Sequence, residues 1–445
     1  MKDLTEGSSF KNIVLFSLPM LCSIIFQQMY NIADSVIVGK YAGVEELAAV
    51  GASYPVTVLF LAVAVGAGVG TSVVAGMLFG SREYRDLKST IYTAFTSMML
   101  LSLLLVLIGS LACGWILDVL KTPENIWLDS RDYLRIYIWG MPFLFLYNIS
   151  NSIFQALGDS KTPLKLLIFS SVLNVVLDYV FVAEYHWDVQ GVAWATFLAQ
   201  GLASVLAFVI LLRKLKELPV GGRTPLFEAA KFRRILIFAV PSIMQQSFVS
   251  VGQLMIQGVI NGFGYDVIAG FSAAYRINTF VISSVVTMGN ALSGFASQNY
   301  GAGYMKRVKE GMRASMLLTV SFSLVAIAAV YLGGHKMMGL FLEAPYNQGV
   351  MDSGIRFLWI VAPSYIMLTV KTIIDNMLKG VGQIRAFTIT TFVDLIIRVG
   401  FVYAFAGILG YGAVCWAYPC GYTLGAIVSW CLMKLWDKSI SPQSV

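Results

Sequence analysis

Four polar side chains, Asp34, Asn174, Asp178 and Thr196, stand inside stretches otherwise apolar enough to cross a bilayer, and together they have the chemistry of a cation site. An ionisable group in hydrocarbon costs on the order of 3 kcal/mol or more, so each is a functional candidate. Asp34 lies about 4 residues from the outer end of the apolar run 11–38, and Asp178 about 5 from the outer end of 164–183. Thr196 is about 5 residues into 191–212 from that same side. At about 1.5 Å per residue these three fall roughly 6–8 Å below one boundary. Asn174 precedes Asp178 by one helical turn and shares its face. Where two carboxylates meet an amide and a hydroxyl in low dielectric, repulsion and lost hydration favour a bound proton at physiological pH. The same oxygens can instead replace the hydration shell of sodium, the one metal expected here. The plainer reading of either aspartate alone is a hydrogen bond near a helix end.

A second polar stripe leads inward. Gln27, Tyr30, Asn31 and Asp34 fall on one face of the first apolar segment, and Asn148, Asn151 and Gln155 recur at three and four residues on the fourth. Such amides either tie neighbouring helices together in lipid or line a wetted cavity for amphipathic solutes. The second half of the chain carries different chemistry. Lys371 and Asp375, and Asp394 and Arg398, are spaced as intrahelical ion pairs, and Arg276 is a further basic residue inside a span. Aligning Leu157-Gly158 with Val381-Gly382 puts Arg398 at the repeat position of Asn174 and Val402 at that of Asp178. A guanidinium repels a metal ion, so the coupling site is expected in the first half alone. The charged residues of the second half are expected to pair structurally or to act in gating and substrate contact.

The elements that position these residues follow from composition. The 445 residues are 58% hydrophobic and 12% charged, which excludes a soluble protein. Runs long enough to cross about 30 Å of hydrocarbon occur at 11–38, 48–78, 91–116, 133–156, 164–183 and 191–212, then at 235–261, 268–297, 314–332, 354–378, 387–405 and 413–433. The expected fold is an all-α polytopic membrane protein of twelve transmembrane helices. The halves repeat at about 221 residues: Phe16 to Pro19 returns as Phe238 to Pro241, Arg135 and Pro142 as Arg356 and Pro363, and Trp194-Ala195 as Trp416-Ala417. Gly80 to Lys88 returns as Gly301 to Lys309. Two homologous six-helix bundles related by a pseudo-two-fold axis are therefore expected, spanning 1–212 and 235–445 and joined by a linker at 213–234.

Of the Lys and Arg residues, 22 lie on the side of the termini, 6 on the other and 3 inside spans. Both termini are thus expected in the cytoplasm and the protein in the cytoplasmic membrane. The asymmetry also accounts for the net charge of +7 without nucleic acid. No cleavable signal peptide is evident, because the first apolar run is too long and contains Asp34. Five cysteines, mostly within spans, argue against disulfides, and two histidines leave little material for a metal centre or catalytic triad. No enzymatic activity and no cofactor are expected. Gly66-Ala67-Gly68-Val69-Gly70 lacks the strand and turn of a nucleotide loop and suits close helix packing.

Pro19, Gln27, Tyr30 and Asp34, the stretch Phe154-Gln155-Ala156-Leu157-Gly158-Asp159-Ser160-Lys161-Thr162-Pro163, and Gln298-Asn299-Tyr300-Gly301-Ala302 resemble the multidrug and toxic compound extrusion (MATE) transporters over essentially the whole chain. The resemblance implies a V-shaped pair of lobes exporting amphipathic, often cationic compounds in exchange for H+ or Na+. Asp34, Asn174, Asp178 and Thr196 resemble the N-lobe cation site of the DinF-like branch. Gln27, Tyr30, Asn148 and Asn151 match positions lining that branch's drug cavity. Where the NorM-like branch has acidic residues, this chain has Val249 and Thr369. The expected partners are small amphipathic solutes and membrane lipids, with the protein a monomer. The alternative functions are a flippase or exporter of a lipid-linked precursor or metabolite, a passive channel, and a membrane-embedded transferase. The last would need clustered acidic residues or histidines at a cavity mouth, and the sequence has none.

Overall fold

The structure, a computed structural model, describes residues 1–37, 44–220, 224–342 and 347–440, without the side chains of residues 34–36, 44–47 and 440. Gly221 and Gly222 of the expected linker fall outside the described residues. The described chain is helical, with no strand. The first half contains α1 (Ser9–Ile37), α2 (Val44–Gly80), α3 (Tyr84–Val119), α4 (Glu124–Trp139), α5 (Met141–Ala156), α6 (Lys161–Asp178) and α7 (Asp188–Lys216). The second contains α8 (Ala229–Ile260), α9 (Tyr265–Gly301), α10 (Met305–Gly339), α11 (Gln348–Val361), α12 (Tyr365–Gly380), α13 (Ile384–Leu409) and α14 (Tyr411–Ile440).

Ten spans among the described residues are long and apolar enough to cross a membrane. Two expected spans fall outside that ten for different reasons. The fourth is divided at Gly140 into α4 and α5, each of 16 residues, because Pro142 has no N–H to continue a helix and suits its first turn. The twelfth is the single helix α14, whose hydropathy is diluted by tyrosine, tryptophan, glycine and Pro419. Pro363, the repeat partner of Pro142, sits in a 3-10 turn at Ala362–Ser364 that joins α11 to α12.

The halves close corresponding helix ends alike. After α5, Gly158 takes φ +72°, its N–H bonds to the Gln155 carbonyl, and the Asp159 N–H reaches back to Phe154. After α12, Gly382 takes φ +84° with the matching bonds to Lys379 and from Gln383 to Leu378. This is the left-handed closure that glycine adopts without steric cost. Asp159 then accepts from the backbone of Lys161 (3.1 Å) and Thr162 (3.0 Å) and pairs with Lys214. Burial alone would raise the Asp159 carboxyl, but hydrogen bonds from Lys214 and Thr162 outweigh it and hold it below the usual carboxylate range. A depressed value stabilises the fold above the unfolded-state value and is lost as pH falls through the folded one. Asp159→Asn is therefore expected to lower the thermal midpoint at pH 7, with the difference from wild type shrinking below about pH 4.

Packing divides the chain into two compact units that cross the repeat boundary. One holds Met1–Asp3 and Leu18–Gln246; the other holds Leu4–Ser17 and the chain from Ser247 onward. In the first unit the amino-terminal part of α8 lies against α2 through the glycine run. A Cβ on Gly66 would stand 2.5 Å from the Ile243 backbone, and one on Gly70 2.5 Å from the Ala239 backbone. Gly68 points the other way, at Ser152 of α5. Gly70→Leu is accordingly expected to force α8 off α2, costing on the order of 1–3 kcal/mol as overpacking does and lowering the thermal midpoint in detergent. A midpoint equal to wild type would remove this contact from the account.

In the second unit the chain's start is built into the core. Leu4 is fully buried, its N–H donates to Gln298 Oε1 (2.9 Å), and its carbonyl accepts from Asn299 Nδ2 (3.2 Å) and Arg307 (3.2 Å). Arg307 also donates to the Gly7 carbonyl (2.8 Å) and to Asn299 Oδ1 (2.9 Å). Further along, Ser9 donates to Glu310 (3.0 Å).

Candidate functional site

α6 ends at Asp178, where the backbone passes into a π-helical turn, Tyr179–Glu184. Such turns are rare and recur at functional sites, because the wider turn rotates the side chains around it. Asp178 is fully buried and Asn174, one turn earlier, nearly so. With its amide oriented by the hydrogen bonds it can make, Asn174 Nδ2 donates to Asp178 Oδ2 (2.8 Å) and to the Tyr30 hydroxyl (3.2 Å), and its oxygen accepts from the Thr196 N–H (3.1 Å). The opposite orientation offers only a 3.4 Å contact to the Thr196 hydroxyl. Three helices of the first unit thus meet at one amide: α1 through Tyr30, α6 through Asn174 and Asp178, and α7 through Thr196. The Asp34 side chain lies outside the described residues, although its backbone belongs to α1 one turn beyond Tyr30. Tyr30, which spacing alone assigns to the inner stripe, is joined by the structure to the Asn174 cluster.

The remaining stripe residues are arranged differently. Gln27 Nε2 donates to Asn31 Oδ1 within α1 (3.3 Å), and Asn148 Nδ2 donates back to the Leu144 carbonyl within α5 (2.8 Å). Among the described residues neither Gln27 nor Asn148 bonds to a neighbouring helix through its side chain. The Asn151 side-chain oxygen is buried without a hydrogen-bond partner there, and Gln155 is partly buried near the end of α5.

The second unit buries a separate cluster of charges. Lys371 Nζ lies 3.0 Å from Asp375 on α12 and 3.8 Å from Asp394 on α13. Arg398 is 3.1 Å from Asp394, and Ser429 of α14 donates to Asp375 (2.6 Å). The two intrahelical pairs visible in the spacing are thereby joined across three helices. Gly421 and Gly425 of α14 leave the room: a Cβ there would meet Arg398 at 2.4 Å and Lys371 at 2.8 Å. Arg398 also lies 5.6 Å from the rings of both Tyr418 and Tyr422. Arg276, on α9, is exposed and takes no part in this cluster. At Thr369 the structure has a neutral contact with Ser323 (2.7 Å).

Helices of membrane-spanning length and apolarity, with hydrogen-bonded carboxylates buried among them, are the architecture of a multi-pass membrane transporter. The chain belongs to the MatE family, whose sequence model matches residues 19–180 and 241–404, one segment in each half. It is 28% identical over 388 residues to the probable multidrug resistance protein YoeA of Bacillus subtilis, covering 85% of this chain and 83% of the relative. It is also 28% identical to the probable multidrug resistance protein YpnP of the same organism, covering 92% and 91%. Its fold matches a solved MOP superfamily transporter from Pyrococcus furiosus with a TM-score of 0.92 at 23% identity, over 99% of this chain and 98% of that one.

Proposed function

We propose that this protein exports amphipathic, often cationic organic compounds across the cytoplasmic membrane in exchange for an inward-moving cation, proton or sodium. The observation that carries the reading is Asp178: a carboxylate with no solvent exposure, reached by Asn174, which also holds Tyr30 of α1. Binding a cation there neutralises the carboxylate and changes the hydrogen bonds that link α1 to α6. Loss of the negative charge also weakens attraction for a cationic solute, so ion and solute compete, and that competition couples their movements. The amide stripe supports a wetted path, since Gln27 and Asn148 satisfy themselves within their own helices instead of gluing neighbours together.

The donor set bears on which ion is used. In the orientation that reaches Asp178, the Asn174 oxygen is committed to the Thr196 N–H, so sodium ligation by this residue requires its amide to turn. A proton needs no such rearrangement, and the reading therefore favours it. The names of the relatives support drug-like cargo. One inward charge at 100 mV is worth about 2.3 kcal/mol, enough for roughly a fifty-fold gradient of a neutral compound.

The experiment is solute efflux from proteoliposomes with sodium and pH gradients imposed separately. Uphill movement is expected with the pH gradient and not with the sodium gradient alone. Uphill movement with sodium alone would transfer the assignment to that ion, and mere equilibration under both gradients would sink antiport altogether.

A further inference from the structure

Only 6 basic residues fall on the expected outer side, and two of them, Arg135 and Arg356, occupy equivalent positions of the repeat. Each lies two residues inside the outer end of its predicted span, 133–156 or 354–378. On those sequence-based bounds each is expected about 3 Å below the boundary, at headgroup level. Both side chains are exposed. Among the described residues neither guanidinium has a carboxylate within 4.0 Å. A guanidinium has five N–H donors and no acceptor, and at this depth a lipid phosphate can supply its counter-charge.

Each arginine has an exposed indole about one turn further into the span. The Arg135 guanidinium is 5.0 Å from the Trp139 ring centre, and Trp139 is 39% exposed. Trp359 is 44% exposed; Tyr331 stacks on it at 6.2 Å and donates to its carbonyl (2.9 Å). Arg356 leans on the first turn of α14, where Gly412 leaves the space: a Cβ there would be 3.3 Å from the guanidinium. A planar fork of donors at headgroup level with an indole beneath it fits a phosphate above a glycerol backbone, since tryptophan favours this interfacial zone and arginine binds phosphate bidentately.

We propose that Arg135 and Arg356 each hold the phosphate of an outer-leaflet phospholipid, with Trp139 and Trp359 packed against its glycerol and first acyl carbons. The leaflet follows from the cytoplasmic placement of the termini, on which this part of the proposal rests. One lipid is bound by each unit, at sites separate from the Asn174 cluster and from the buried charges of the second unit.

The test is native mass spectrometry of the purified full chain titrated with phosphatidylglycerol. Wild type is expected to retain two lipids, Arg135→Gln and Arg356→Gln one each, and the double variant none. The apparent affinity at each altered site should fall about ten-fold, the scale of one charge-assisted hydrogen-bond pair. Arg233→Gln, at an exposed basic position on α8, should keep both lipids. Digalactosyldiacylglycerol, which has no phosphate, should not displace them, and neither should inorganic phosphate, which lacks the glycerol and chains. Should the glutamine variants fail to fold, Arg135→Lys and Arg356→Lys keep the charge without the fork and should bind more weakly than wild type. Two lipids retained by the double variant, equal loss in Arg233→Gln, or equal binding of the galactolipid would overturn the proposal. Protease protection of the amino terminus in right-side-out vesicles reads the leaflet separately, so a reversed orientation is distinguishable from absent binding.

Discussion

Asp178→Asn is expected to abolish ion-coupled efflux in proteoliposomes, by more than about a hundred-fold, while the protein still folds and inserts. The side chain is fully buried, so a cation beside it sees little bulk water. At an effective dielectric of about 20, a unit charge 4 Å away contributes about 4 kcal/mol, roughly a thousand-fold in binding. Asparagine keeps the shape and can accept from Asn174, but it offers neither a site for a proton nor a negative charge for sodium. The fold has no reason to suffer, because burying an ionised carboxylate is itself expensive and an amide relieves that cost. Folding is read by a monodisperse elution profile and an undiminished thermal midpoint, and coupling by uphill movement under an imposed gradient. Asn174→Leu provides the contrast: the carboxylate stays but the tie to Tyr30 is lost, so the ion should still bind while its effect on solute release weakens. Near-wild-type coupled efflux by Asp178→Asn would remove this site from the mechanism. The same loss is expected of Asp34→Asn, on the sequence argument that places it level with Asp178.

Much of this architecture is legible in the chain because lipid allows so few backbone solutions. Long apolar runs must be helices there, and the repeat fixes which runs correspond. The boundaries are less legible for an equally physical reason. The expected fourth span begins at residue 133, but α4 begins at Glu124, since its first turns contain Glu124, Asp129 and Arg131 and fall below any hydropathy threshold. The break at Gly140 is hidden inside an apolar run. The π-helical turn that follows Asp178 has no residue-type signature. Pairs four residues apart on one helix, such as Asp394 and Arg398, can be read from spacing, because the helix dictates their geometry. Contacts between helices cannot. Tyr30 with Asn174, Lys371 with Asp394, and Leu4 with Gln298 each depend on a register that no local pattern encodes.

Asp394→Asn is expected to destabilise the second unit severely, by about 3–5 kcal/mol, the usual cost of stranding one side of a buried ion pair. Asp394 faces Arg398 at 3.1 Å and Lys371 at 3.8 Å, so its loss leaves two cations with only Asp375 between them. The double replacement Lys371→Met with Asp375→Leu removes one cation and one carboxylate together, and should cost far less than either single change. If the cluster serves packing alone, a thermal-midpoint cycle over the four proteins should show a coupling of about 0.5–3 kcal/mol, and the double variant should transport as wild type does. If the cluster contacts solute or gates the path, the double variant should be stable yet lose efflux. The geometry favours the first outcome. Positive and negative charges balance within the cluster, Ser429 takes up an Asp375 oxygen, and Gly421 and Gly425 bring the backbone of α14 directly against Arg398 and Lys371. Such contacts fix the register of α12, α13 and α14 against one another. A stable double variant with efflux lost would instead make these charges part of the transport path.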